Sequence, residues 1–198
     1  MRKVIMASGN KNKIKEMAAI LESFGMDVIS KEDAGFGHID PEEDGETYEE
    51  NSLKKAMEIM EASNYPVIAD DSGLEVEYLN GAPGIHSARF AGEDCNYARN
   101  NEKMLAMLEG VPKEQRRARF VTVITMVFPE GGRIVARGEC PGEIVTELRG
   151  EAGFGYDPIF MPDGFDKTFA QLGTEVKNRV SHRARALQNL REQLNEGI

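Results

Sequence analysis

The 198-residue sequence predicts a mixed α/β fold, and three observations carry that expectation. Stretches of strand-like, β-branched or alternating character are interleaved with stretches whose apolar residues recur at helical spacing. No internal repeat or low-complexity linker breaks the alternation, which favours one domain over residues 1–198. Finally, the run over 119–128 is followed by Pro129-Glu130-Gly131-Gly132 and a returning run over 133–140. Such a hairpin is antiparallel, so the sheet is mixed and not a purely parallel doubly wound one.

The elements follow in order. Residues 3–7 form a first strand. From Lys11, Ile14, Met17, Ala18 and Leu21 take helical spacing with Lys15, Glu16 and Glu22 on the other face, and Gly25 is a C-cap candidate. Thr47 with Glu50 three residues on is a capping-box pattern, opening a second helix with Leu53, Ala56, Met57 and Met60 on one stripe to about Ala62. Pro66-Val67-Ile68-Ala69 is a short strand that stops at Asp70-Asp71, after which Leu74, Val76 and Tyr78 alternate with Glu75 and Glu77. Asn101, Met104, Leu105 and Leu108 mark a third helix. Ser181 caps a last one, with Ala184, Leu187, Leu190 and Leu194 on its apolar face.

Composition narrows the function. No apolar run is long enough to cross a bilayer, and the opening residues suit a buried strand better than a signal peptide, so a cytoplasmic, membrane-free setting is expected. Two cysteines without a CxxC pair call for neither a disulfide nor a zinc site. A net charge of -10 argues against a nucleic-acid-coating surface and leaves room for a small anion met locally by lysines and a metal.

Four constellations carry chemistry. Ser8-Gly9-Asn10-Lys11-Asn12-Lys13 joins the first strand to the first helix, where backbone N–H groups and the helix dipole favour an anion and Lys13 adds a charge. The spacing is neither that of a P-loop nor that of a dinucleotide fold, and an ordinary polar turn is an equal alternative. The acidic residues from Asp40 to Glu50 are mostly a solvated face, but Asp70-Asp71 after an apolar strand needs a cation or donors to offset its repulsion. A strand-end carboxylate suits magnesium and can deprotonate a water. Of Lys54 and Lys55, one is expected to turn toward that pair. Gly153-Phe154-Gly155-Tyr156-Asp157-Pro158 sets aromatics on a glycine-rich loop, where a ring can stack a base, although Tyr156 also suits a place in the core. Lys177 and Ser181-His182-Arg183 supply donors that match the 6-keto acceptor of hypoxanthine or xanthine.

These segments, together with Glu50-Asn51-Ser52-Leu53-Lys54-Lys55-Ala56, Ala69-Asp70-Asp71-Ser72-Gly73-Leu74 and Gly81-Ala82-Pro83-Gly84-Ile85-His86-Ser87-Ala88-Arg89, closely resemble the inosine triphosphate pyrophosphatase (XTP/dITP diphosphatase) family nearly end to end. The resemblance implies an elongated mixed sheet flanked by helices, two lobes around a nucleotide cleft, and a homodimer. It implies that residues 8–13 and Lys55 hold the triphosphate, that Glu42 and Asp71 bind magnesium, with manganese the alternative metal, and that Asp71 is the catalytic carboxylate. Glu43, adjacent to Glu42, competes for the ligand role. Ser72 contacts substrate, Phe154 stacks on the base, and Gly155, Tyr156, Asp157, Lys177, His182 and Arg183 complete the base site. The implied substrate is a non-standard purine nucleoside triphosphate. A dTTP- or UTP-directed pyrophosphatase and a non-catalytic nucleotide sensor are the alternatives; the 154–157 loop disfavours the first, and the retention of Lys13, Lys55 and Asp71 disfavours the second.

Overall fold

The structure, a computed structural model, describes residues 2–92 and 95–196. Among them seven strands form one sheet: β1 (Arg2–Met6), β2 (Met26–Ser30), β3 (Val67–Val76), β4 (Pro83–Gly84), β5 (Arg117–Val127), β6 (Arg133–Ile144) and β7 (Phe160–Pro162). The order is β2-β1-β3-β5-β6-β7, with β4 paired to β3. β1 runs parallel to both β2 and β3, whereas β3–β4 and β6–β7 are antiparallel. The helices are α1 (Lys11–Leu21), α2 (Tyr48–Ser63), α3 (Tyr97–Met107), α4 (Phe169–Leu172), α5 (Thr174–Val180) and α6 (His182–Glu196). This is the mixed α/β class expected, with the hairpin of β5 and β6 closed by a turn in which Gly131 N–H donates to the Phe128 carbonyl at 3.0 Å. No described helix is long and apolar enough to cross a membrane.

The chain divides into two compact units. One comprises Met1–Asp71, Thr122–Gly138 and Arg183–Ile198, the other Ser72–Val121 and Glu139–His182. In the first, Val4, Met6, Met17, Leu21, Ile68, Ile124 and Leu187 build one core cluster, while Ile5, Ala56, Ile59 and Val67 build another. In the second, Leu74, Met104, Leu108, Phe120, Phe160 and Phe169 are buried together. Phe120 and Phe160 pack edge to face at 4.6 Å, the geometry that the ring quadrupole favours.

Three local results differ from the sequence expectation. β3 does not stop at Asp70 but runs through Asp70-Asp71 to Val76, ten residues in all; the charges that should break the strand are compensated by Lys13, Lys55 and Arg183. Glu16, expected on the wet face of α1, is buried because it meets the Arg183 guanidinium. α2 buries Asn51, Ser52 and Lys55 beside Ala56 and Ile59, so its inner face is partly polar. Its cap also departs from the simple box: Thr47 accepts from Glu50 N–H at 3.1 Å, but the Glu50 carboxylate takes the Glu46 N–H at 2.7 Å.

Candidate active site

The carboxylate set lies wholly within the first unit. β3 carries Asp70 and Asp71 as consecutive residues, and consecutive strand residues point to opposite faces. Asp70 is 1% exposed and its Oδ2 faces Lys13 Nζ at 3.1 Å and an Arg183 nitrogen at 3.5 Å. Arg183, from the start of α6, also binds Glu16 of α1. Asp71, 4% exposed, instead faces α2: Asn51 Nδ2 donates to its Oδ2 at 3.1 Å, and Lys55 Nζ stands 3.8 Å from its Oδ1.

Lys55 also donates to the Asp70 carbonyl at 2.7 Å and to Glu43 Oε1 at 2.5 Å. Burial alone lowers a lysine, yet Asp71, Glu43 and Asp70 together outweigh it and hold the Lys55 ammonium above its ordinary value. Burial pushes Asp71 up, and the attraction of Lys55 and Lys13 only partly offsets that. Glu43 is also raised by burial, but the Lys55 charge wins and leaves it below the usual carboxylate range. Glu43 and Asp71 repel one another across Lys55, so two hard oxygen donors of like charge sit close enough to feel each other. Such a pair fits magnesium, which takes one or two protein carboxylates and fills its shell with water and phosphate oxygen. Among the described residues no group of three or more His, Cys, Asp or Glu side chains forms a metal cage.

Glu42, the ligand first named from the resemblance, is exposed, and the charge it acts on is Lys54. Glu43, the other candidate, meets Lys55. In the 8–13 loop, Asn10 caps α1, its Oδ1 accepting from Asn12 N–H at 3.0 Å and Lys13 N–H at 3.2 Å. Ser8 Oγ accepts the Asn10 N–H at 3.1 Å, while Gly9, Lys11 and Asn12 are exposed. Lys13 is the residue of this loop that reaches the carboxylates.

The second unit holds the other residues named from sequence. Ser72 follows Asp71 on β3 and is half-buried. Asp157, 2% exposed, accepts the Phe154 N–H at 2.9 Å and Lys177 Nζ at 2.7 Å on one oxygen. Lys177 Nζ lies 4.5 Å from the centroid of the Phe154 ring, within cation–π range. Gly153 has φ of 80°, and a Cβ there would collide with the Asp157 carboxylate, so this position needs glycine twice over. Tyr156 is a core residue: it is 5% exposed, its hydroxyl donates to the Ser87 carbonyl at 2.7 Å, and burial pushes the phenol well up. Phe154 is the aromatic left half-buried on this loop. His182 is buried and stacks on Phe120 with 4.7 Å between centroids.

Two residues stand in these networks that sequence reasoning gave no site role, Asn51 and Glu16. The signal for Asn51 was its place in Asn51-Ser52-x-x-Lys55, a polar group at helical spacing among apolar neighbours. Glu16 gave no signal, since its partner Arg183 is 167 residues away.

Over residues 4–193 the chain matches the Ham1 family. It is 50% identical over 200 residues to a dITP/XTP pyrophosphatase of Clostridium perfringens, covering 98% of each chain. It is 49% identical over 195 residues to one of Haemophilus influenzae, covering 98% of this chain and 99% of the other. Among solved structures, the Staphylococcus aureus Ham1 protein superposes with a TM-score of 0.87 at 43% identity, and a HAM1 protein from Coxiella burnetii with 0.87 at 36%, each covering both chains completely. A match of this extent, in sequence and in structure alike, means that the chain belongs to the Ham1 family.

Proposed function

We propose that this protein hydrolyses non-standard purine nucleoside triphosphates, dITP, ITP and XTP, to the monophosphate and pyrophosphate. The observation that carries the proposal is Asp71, a buried carboxylate raised by burial and placed between Asn51 and Lys55. The raised value makes it a better proton acceptor near neutrality than an ordinary carboxylate. The names of the relatives, dITP/XTP pyrophosphatase at about half identity over nearly the whole chain, support the substrate class.

Asp71 takes a proton from water as the water oxygen bonds to the α-phosphorus. The bond from that phosphorus to the bridging oxygen breaks, and pyrophosphate leaves with the electron pair. Lys13 and Lys55 balance the charge that develops on the phosphoryl oxygens, aided by residues 8–12, of which Gly9, Lys11 and Asn12 are exposed. When bound, magnesium, or manganese in its stead, neutralises phosphate charge, and Asp71 with Glu43 would hold it. Phe154 stacks on the base, Ser72 contacts the substrate, and Lys177, Asp157 and His182 favour a 6-keto edge. Arg183 acts through Asp70, which it shares with Lys13. A cytoplasmic homodimer without a nucleic-acid partner completes the proposal, resting on the resemblance and on the charge of -10.

The test is a panel of dITP, XTP, dGTP, dATP and dTTP with magnesium, identifying the released product. Selective pyrophosphate release from dITP and XTP is expected. It should be lost in chelator and restored by magnesium, and Asp71→Asn should lower kcat about 10²–10⁴-fold, the range of a positioned base. A preference for dTTP, or full activity in the variant, would contradict it.

A further inference from the structure

α3 carries two successive asparagines, Asn100 and Asn101, 2% and 4% exposed. Asparagine is a poor helix former and its amide is costly to bury, so each should be held by its hydrogen bonds. Asn100 is: it accepts the Ala91 N–H at 2.7 Å and donates to the Ala88 carbonyl at 3.0 Å. Asn101 reaches elsewhere. Its Nδ2 donates to the Gly155 carbonyl at 3.0 Å, across 54 residues of chain. Its Oδ1 is buried and meets no donor among the described residues, so the amide is kept for the single bond to the loop. One turn earlier on the same helix, Tyr97 lays its ring against Phe154, 5.9 Å between centroids and tilted by 42°.

Gly155 lies between the half-buried Phe154 and the core residue Tyr156. Asp157 and Lys177 hold the loop from one side through the Phe154 N–H and ring. Without Asn101 the Gly155 carbonyl loses its bond to α3, and the peptide between Gly155 and Tyr156 loses that anchor.

We propose that Asn101 is a positioning residue for recognition of the purine base, fixing the Gly155 carbonyl and through it the Phe154 ring. The inference rests on the proposed function, in which Phe154 stacks on the base. The test compares wild type with Asn101→Leu, which keeps the volume, and Asn101→Asp, which keeps the shape but removes the donor. KM and kcat are measured for dITP and dATP, with inhibition by pyrophosphate as a probe that lacks a base. In both variants KM for dITP should rise about tenfold, the worth of one well-placed hydrogen bond, with a smaller change in kcat. Discrimination against dATP should narrow, and inhibition by pyrophosphate should match wild type. Unchanged KM and discrimination in the variants, with an active wild type, would overturn this inference alone. So would losses shared equally by kcat and pyrophosphate inhibition, the mark of a purely structural residue. A wild type that releases no pyrophosphate from dITP would overturn the proposed function, and this inference with it.

Discussion

Lys55 shows at the scale of single residues how the carboxylate set is held. Its ammonium has three hydrogens, and the Asp70 carbonyl, Glu43 and Asp71 surround it at 2.7, 2.5 and 3.8 Å. The long third contact leaves Asp71 more weakly held than Glu43, and Asn51 makes up the difference. The Asn51 amide has no freedom to flip, because its Oδ1 accepts the Gly45 N–H at 2.8 Å and its Nδ2 must then face Asp71. Gly45 approaches so closely that a Cβ there would stand 2.7 Å from Asn51 Oδ1. Asn51→Leu therefore removes a donor that stabilises ionised Asp71, and burial, already the main influence, pushes that carboxyl higher still. In the proposed mechanism Asp71 serves as a base only when ionised, so activity should be lost as the pH falls through its value. The acid limb of the pH profile of kcat/KM should accordingly move to higher pH in Asn51→Leu, with kcat at neutral pH falling about tenfold. An acid limb that coincides with wild type would show that Asn51 does not act on Asp71.

At the scale of elements, the 153–157 loop is organised by one carboxylate, which takes a backbone N–H and an ammonium on the same oxygen. Gly153→Ala forces a positive φ on a residue with a Cβ, which costs about 1–2 kcal/mol, and pushes that Cβ into Asp157. We expect kcat/KM for dITP to fall about tenfold or more, chiefly through KM, while a wild-type KM would show that the loop is not part of the base site. The glycines and aromatics that mark this loop are local in sequence, and so is the Thr47 cap of α2, and these were legible; Gly25, expected to cap α1, instead ends the short 3-10 turn 22–24 that follows the helix. The hairpin of β5 and β6 was legible for the same reason, being two adjacent runs and a turn. What was hidden depends on distant partners. The strand signal ended at Asp70 because two aspartates argue against a strand, and only Lys13, Lys55 and Arg183, brought in by folding, allow β3 to run on. Glu16 looked solvated for want of Arg183. The choice between Glu42 and Glu43 turns on one residue of register in a loop, which no periodicity fixes. β2, β7, α4 and α5 are at most seven residues each, too short for a periodic signal to rise above local propensity.

For the whole molecule, a net charge of -10 and the anionic substrate of the proposed function are reconciled if cations are concentrated at the carboxylate set. Lys13, Lys55 and Arg183 face Asp70, Asp71, Glu43 and Glu16 within the first unit, while Lys177 faces Asp157 in the second. Charge there is nearly paired, so in the proposed function phosphate is drawn in by local geometry and a divalent cation, not by a positive surface. In the proposed function the roles are separate: carboxylates and lysines for the reacting phosphorus, an aromatic loop and donors for the base. The direct test of that assignment is hydrolysis of dITP in water enriched in oxygen-18, with the products resolved by mass. Attack at the α-phosphorus places the label in the monophosphate and leaves pyrophosphate unlabelled. Label in pyrophosphate, or release of orthophosphate in place of pyrophosphate, would contradict the mechanism built on Asp71.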